Sequence, residues 1–363
     1  MPVKKTLMII FTSLKMNRKR QLFLLAIITM LMITACVSRG TQHPVSQPQY
    51  VTRQCQIVEQ VMGPTQICGQ PQKIVALAPN TLEILLALNV QPVGYADYIP
   101  LHQGDYDHPS RQIPYLGERI TGEIVNVGIA NSPSVEALLK IQPDLIIGTE
   151  NNKSQYEMLS KIAPTLLFPR FKAQDNLQKI AKLLGRSEQA EKILADNQQR
   201  LTAAQKAFSP IVKTHPQVLM LVSLGQSISE QLRFPRRDSF CDSLVTSLGF
   251  KLVSPQSLVP SNKSIPPPLS IEILPKFNSA DAIILLGGNF SNLQPSHHNY
   301  FASQMKKLKQ QWQENAIAQS LKASQEGRVY FLPVYLCLGL PGPIGTELYL
   351  NELQNQLLSP PGK

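Results

Sequence analysis

Apolar residues recur along this chain in two rhythms, and the alternation of those rhythms predicts its architecture. Short unbroken apolar runs read as buried strands: Lys73 to Ala78, Gln91 to Tyr95, Asp144 to Gly148 and Thr165 to Phe168 in the first half. Between them lie stretches with helical spacing. Pro79-Asn80-Thr81 ends the first strand, and Thr81 is placed to cap a helix through Leu88. Ser134 is placed to cap a second helix to Lys140, and Lys153 to Ile162 forms a third. Strand and helix in strict succession predict a mostly parallel sheet with helices on both faces. The second half repeats the theme. Gln217 to Leu224, Asp281 to Leu286 and Arg328 to Leu332 are strand runs; Phe240 to Leu248, Ser303 to Trp312, Asn315 to Lys322 and Gly345 to Leu358 are helical.

The longest helical stretch lies between the halves. Gly185 ends one helix, Ser187 caps the next, and neither Gly nor Pro interrupts until Pro210. Ala190, Ile193, Leu194, Leu201, Ala204 and Phe208 mark one face. About 22 residues at roughly 1.5 Å each give a rod of about 33 Å, the width of a small domain. The expected fold class is α/β: two α/β lobes with mostly parallel sheets joined by one long backbone helix. The expected divisions are 1–35 leader, 36–54 flexible tether, 55–186 first lobe, 187–209 inter-lobe helix, 210–358 second lobe and 359–363 tail. About 300 folded residues exceed what one core usually holds. Ser254 to Pro268 reads as a Pro-rich surface loop.

The first 35 residues follow a third pattern. Lys4, Lys5, Lys15, Arg18, Lys19 and Arg20 precede the apolar run Leu22 to Met32, which is short for a membrane span and of signal-peptide length. Ile33-Thr34-Ala35-Cys36 closes it like a bacterial lipobox, which predicts cleavage before Cys36, acylation of that cysteine and a lipid-anchored protein of the cell envelope. Met16 is an alternative start. The precursor carries a formal charge of +11; removal of six basic leader residues leaves +5, an ordinary balance that gives no support for nucleic-acid binding.

An anchored, exported chain meets an oxidising compartment. Cys55 and Cys68 flank two short alternating segments around the turn signal Gly63-Pro64, so a bridge would staple the open end of a hairpin. Two free thiols or a zinc site are the alternatives, and no Cys or His pair nearby favours zinc. Enzyme signatures are missing. Gly339-Leu-Pro-Gly-Pro-Ile-Gly345 lacks the lysine of a phosphate loop, and Gly225-Gln-Ser227 does not continue as a nucleophile elbow. His102-Gln-Gly-Asp105-Tyr-Asp107-His108 is a dense oxygen and nitrogen cluster that reads as a polar loop before it reads as a metal site. His297-His298 has no partner in the sequence.

Four segments carry a family resemblance. Pro71 to Leu88, Asn126 to Ile147, Leu269 to Leu274 and Gly342 to Leu353 resemble, in order, segments of the substrate-binding proteins of iron-siderophore and cobalamin ABC importers. The resemblance spans roughly residues 55–358. It implies a ligand cleft between two lobes, a ferric siderophore as ligand with iron held through the chelate, no intrinsic cofactor or directly bound metal, and no enzymatic turnover. It implies delivery by a monomer to an ABC permease dimer with its ATPase subunits. Glu83 and Glu272 match the two glutamates that dock on the permease, one exposed on top of each lobe. Cleft loops would contribute Asn80, Tyr98, Arg119, Asn152, Arg170 and Lys172 from the first lobe, and Arg233, Arg236, Arg237 and Tyr335 from the second. That bias toward Arg and Tyr suits an anionic chelate.

The resemblance also supports the Cys55–Cys68 bridge, because relatives often carry such a pair. Cys241 and Cys337 stand where relatives often have aromatic residues facing the cleft, which suggests a second bridge. At Ala130 hydroxamate-binding relatives often have arginine, and at Cys337 tryptophan, so citrate-type or mixed chelates come into play. A cobalamin or haem carrier of the same fold is the alternative; an enzyme on a two-lobed α/β scaffold is the distant one. Trp312, the only tryptophan, is expected in core packing.

Overall fold

In the computed structural model there are two mostly parallel sheets, each with one antiparallel strand, and one long helix runs from the first to the second. The structure describes residues 54–358, apart from 101, 229–231, 237–238, 254–265 and 289–299. The leader with Cys36, most of the tether, Arg237, the His297-His298 pair, the body of the Pro-rich loop and the tail therefore lie outside the described residues.

The chain enters through a hairpin, β1 (Cys55–Gln60) and β2 (Gly63–Cys68). The first sheet follows: β3 (Ile74–Ala76), β4 (Gly94–Asp97), β5 (Val125–Ile129), β6 (Ser132–Pro133), β7 (Leu145–Thr149) and β8 (Thr165–Phe168). Its spatial order is β6-β5-β4-β3-β7-β8, parallel except for β6. The second sheet holds β9 (Gln217–Ser223), β10 (Leu232–Arg233), β11 (Lys251–Leu252), β12 (Ala282–Gly287) and β13 (Val329–Pro333). Its path is β10-β9-β12-β13, with β11 also beside β9.

Strand periodicity divides the core. On β3, Ile74 and Ala76 face one way while Val75 and Leu77 face the other; on β7, Leu145 and Ile147 oppose Ile146. Val75, Leu77 and Ile146 join Leu138 and Leu159 in a core private to the first lobe. Leu219, Leu221, Ile283 and Leu285 join Trp312 in a core private to the second. The remaining sheet faces share one continuous apolar cluster. It runs from Ile74, Leu145 and Ile147 through Ala190, Ala204 and Phe208 of the spanning helix to Val218, Ile284 and Leu353. Two lobes that share a core are coupled through packed side chains, which resist large independent motion.

The spanning helix covers Ser187–Thr214, longer than the sequence predicts, with Pro210 inside it. Proline removes one N–H from the ladder, yet Ile211 and Val212 pack against the shared core beyond it, and that burial carries the helix on for another turn. The first helix begins at Pro79, so Thr81 sits inside it, buried, and Ala78 takes the cap position without a side-chain bond. Ser134 does cap its helix, Val135–Ile141, accepting a hydrogen bond from the N–H of Ala137. A five-residue helix, Val334–Leu338, follows β13. Trp312 is buried, and its indole N–H donates to Ser324 Oγ at 3.0 Å.

Two disulfides are present among the described residues. Cys55 and Cys68 face each other at the hairpin mouth with Cα atoms 4.0 Å apart, and Cys241 and Cys337 join at 5.4 Å. The hairpin tip covers the edge of the first sheet: Val61 N–H donates to the Leu167 carbonyl at 2.9 Å, and Leu167 N–H to Gln60 Oε1 at 3.2 Å.

Candidate functional site

Parallel strands all end on the same side of their sheet, so the loops after them gather at one edge. In the first lobe that edge receives Asp97 from β4, Glu150 after β7 and Pro169-Arg170-Phe171 after β8. In the second it receives the ends of β9 and β12 and the short helix after β13. A cavity of about 340 Å³ lies where the two edges meet. Arg170 and Phe171 line it from the first lobe; Arg233, Phe234, Arg236 and Cys337 line it from the second.

Three guanidinium groups thus surround one cavity, and none of its described lining residues is a carboxylate. Arg170 is held in place on several sides. Its backbone N–H donates to Glu150 Oε2 at 2.7 Å, and its Nη2 reaches the Leu338 carbonyl of the other lobe at 2.9 Å. Its guanidinium carbon stands 4.5 Å from the centre of the Tyr98 ring and 4.8 Å from that of Phe171. Arg236 stands 4.8 Å from Phe171 as well. Arg233, carried to the cleft by β10 pairing with the end of β9, donates from Nη1 to the Pro266 carbonyl at 2.8 Å. The Nε atoms of Arg170 and Arg233 are buried and have no hydrogen-bond partner among the described residues. A pocket lined by three arginines and two phenylalanines fits a compact anion with apolar surface.

Beside the cavity, a second polar group crosses the cleft. Asp97 is 4 % exposed, and its Oδ2 accepts hydrogen bonds from Tyr95 OH at 2.5 Å and Tyr335 OH at 2.7 Å. Its Oδ1 accepts from the N–H of Ile99 at 3.2 Å. Burial raises its carboxyl above the usual range, and those donors only partly oppose the shift. Burial, and the Asp97 charge, push the Tyr95 and Tyr335 phenols well above their usual range. Tyr335 also stacks with Tyr115 of the first lobe and packs on Phe301, at centroid distances of 6.1 and 5.1 Å.

The structure sorts the residues singled out from sequence. Arg170, Arg233 and Arg236 meet at the cavity, with Tyr98 beneath Arg170. Tyr335 lies buried against Asp97, outside the cavity lining. Asn80 is buried and accepts from Tyr98 OH at 2.9 Å. Asn152 is fully buried and serves the backbone: Oδ1 accepts from Thr149 N–H, and Nδ2 donates to the Ala130 carbonyl. At 0 % exposure it presents nothing to a ligand. Arg119 is exposed in a turn away from the cavity, and Lys172 is exposed beside a second cavity on the other side of Phe171. His102 is tied into its own loop by Asp105 O and Gln112. Asp97 escaped the sequence reading, although a carboxylate flanked by Tyr95 and Tyr98 at the end of a buried strand is a signal, because such a group needs dedicated donors.

Glu83 requires a correction. Expected on the outer surface, it is 0 % exposed. Its Oε2 and Oε1 accept hydrogen bonds from the N–H groups of Gly342 and Gly345, at 2.9 and 2.7 Å, at the start of the C-terminal helix Pro343–Leu357. A helix N-terminus presents unpaired N–H groups and positive potential, so it draws a carboxylate in. A Cβ on Gly342 would come within 2.7 Å of the Glu83 carboxyl carbon, which is why glycine stands there. Burial raises this carboxyl from 4.5 to about 7, opposed by the amides of Gly345, Gly342 and Ile344 and by the charge of Arg119.

Glu272 is exposed in the first turn of the 3-10 segment Ile271–Phe277, behind the capping Ser270. Its counterpart in the first lobe is Glu136, also exposed and also two residues after a capping serine, Ser134. Each segment then leads to an aspartate that ties down the start of its lobe's first strand. Asp144 accepts from the N–H groups of Gln72 and Lys73, and Asp281 from that of Gln217. The repeated Ser-x-Glu followed by Asp marks Glu136 and Glu272 as equivalent positions.

Residues 74–336 match the periplasmic binding protein family. Among similar proteins is a putative ABC transporter substrate-binding lipoprotein, YhfQ of Bacillus subtilis, 25 % identical over 93 % of this chain and 98 % of the relative. A probable siderophore-binding lipoprotein of the same organism, YfiY, is 25 % identical over 93 % and 96 %. Staphylococcus aureus SirA, solved with staphyloferrin B, superposes with a TM-score of 0.65 at 23 % identity, covering 84 % of this chain and 98 % of that one.

Proposed function

The chain belongs to the periplasmic binding protein family, and on that premise we propose that it captures a ferric siderophore between its lobes and delivers it to an ABC permease. The observation that carries the cargo class is that Arg170 from the first lobe and Arg233 and Arg236 from the second line one cavity with no carboxylate among its described lining residues. Ferric chelates built on carboxylates or catecholates are commonly anionic, and arginine forks match such oxygens. The relatives' names agree with iron: besides YfiY, they include an Fe(3+)-citrate-binding protein of Bacillus subtilis, YfmC. The role is binding and release without turnover.

Delivery needs a face that the permease recognises. In this reading the docking pair is Glu136 and Glu272, the two exposed, equivalent glutamates, in place of the buried Glu83. Two carboxylates at a fixed separation give orientation and fast encounter with a cationic surface. The leader ending at Cys36 places the protein at the outer face of a membrane through acylation. Among the described residues, no helix is long and apolar enough to cross a membrane.

Native mass spectrometry of the protein recovered from its own iron-starved host tests the cargo. A retained ferric chelate with a charge-transfer band is the expected result. A corrinoid, or haem with its Soret band, overturns it. For the anchor, Cys36→Ala is expected to leave the protein uncleaved or released from membranes, and an unlipidated native protein with another N-terminus refutes acylation.

A further inference from the structure

One element of the second lobe carries more of the cleft than its five residues suggest. The Val334–Leu338 helix bonds to the first lobe at two points and to its own lobe covalently. Tyr335 OH donates to Asp97 Oδ2 at 2.7 Å, across 238 residues of chain. The Leu338 carbonyl accepts from Arg170 Nη2 at 2.9 Å, across 168 residues. Cys337, between them, is bonded to Cys241 in the second lobe's Phe240–Ser247 helix. Val334, Cys337 and Leu338 also line the arginine cavity. The helix is therefore a wall of the cavity and the strap between the lobes at once.

The first lobe is shaped to meet this strap. Tyr115 has a φ of 61°, a left-handed conformation that bulky side chains rarely adopt. Held so, its ring stacks on both Phe301 and Tyr335, at centroid distances of 5.6 and 6.1 Å. Asp97 makes a built-in comparison possible. Its Oδ2 takes one hydroxyl from Tyr95, within its own lobe, and one from Tyr335, across the cleft. Both bonds are buried and end on the same oxygen, but only the second spans the lobes.

We propose that Asp97 is a positioning residue for cargo binding, acting through Tyr335 to hold the Val334–Leu338 strap against the first lobe and so fix the spacing of Arg170 and Arg233. This rests on the reading of the cavity as the cargo site. Spreading the lobes must break the Tyr335–Asp97 bond and the Arg170–Leu338 bond together, so the same contacts that shape the cavity also set how readily it opens to release cargo.

Hydrogen exchange on the ligand-free protein tests the strap directly, comparing Tyr335→Phe with Tyr95→Phe. A hydrogen bond to a buried charged group has a strength that corresponds to about ten- to hundredfold in an opening equilibrium. Tyr335→Phe is expected to speed exchange at residues 334–341 by that factor, and Tyr95→Phe, whose hydroxyl also interacts with Tyr335, to speed it clearly less. The same order is expected in the dissociation rate of ferric dicitrate used as a probe. If both variants change the segment equally, or neither does, the proposal is overturned. Should Tyr335→Phe fail to fold, Asp97→Asn, which keeps one acceptor oxygen, is compared with Tyr95→Phe in the same way. Because exchange is read without cargo, the strap stands or falls separately: a protein that shows the exchange order but binds no ferric chelate sinks the cargo reading alone.

Discussion

Glu83 accepts a 2.7 Å hydrogen bond from the N–H of Gly345, joining the first helix of the fold to the last across 262 residues. Its carboxyl, raised from 4.5 to about 7, makes this junction sensitive to pH. The folded state holds the proton in a window where the unfolded chain has released it. Stability from this group is therefore complete below about pH 4.5 and is lost as pH rises through 7. The shift corresponds to about 3 kcal/mol at most. Chemical denaturation from about pH 5 to about pH 8 should show that fall, and Glu83→Gln should flatten it. An equal slope in the variant refutes the assignment.

Cargo affinity should depend on the arginines that reach the cavity and ignore those that do not. Arg170→Ala and Arg233→Ala should each weaken binding of an anionic ferric chelate by about ten- to hundredfold, as expected for lost charge-assisted hydrogen bonds. Arg119→Ala, exposed elsewhere, should leave it unchanged. Calorimetric titration of the three variants decides this, and equal losses in all three count against the site.

Docking and binding should separate. Glu136→Lys or Glu272→Lys should preserve chelate affinity while cutting whole-cell radio-iron uptake by roughly tenfold, because a reversed charge repels a cationic permease surface. Normal uptake in both variants removes these residues from the docking face.

The two disulfides should differ in thermodynamic weight. Cys241 and Cys337 close a loop of 96 residues, and Cys55 and Cys68 one of 13. Chain entropy assigns about 5 kcal/mol to the longer and about 3 kcal/mol to the shorter. Thermal melts of the two paired Cys→Ser variants should rank in that order, with the Cys241/Cys337 variant the less stable. The reverse ranking contradicts the loop-entropy account.

Much of the fold could be read from local pattern. Thr165 to Phe168 is a strand over just those residues, and Ser134 caps the helix it heads. Both follow from nearest-neighbour chemistry. Helix limits set by tertiary packing could not be read: Pro210 looks like a stop, yet the shared core draws Ile211 and Val212 into another turn. The site divides as well. Arg170, Arg233 and Arg236 are reached only through the family resemblance, which sends their segments to the cleft; the same reasoning also names Arg119 and Lys172, which do not line the cavity. Glu83 misleads, because a glutamate on a helix near a lobe's top reads as solvated, and only the distant Gly342 and Gly345 amides explain its burial. Asp97 stayed hidden because its partner Tyr335 lies at the far end of the chain.

The hairpin mouth has a mechanical consequence. A pull on the chain before Cys55 would, in an unclipped hairpin, peel the ladder open one pair at a time. Here the disulfide closes the outermost rung, where Cys55 pairs with Cys68. Tension instead passes through sulfur to Cys68 and on to β3, which sits between β4 and β7 in the middle of the first sheet. A chain held by its start would thereby load a central strand and leave its entry hairpin slack.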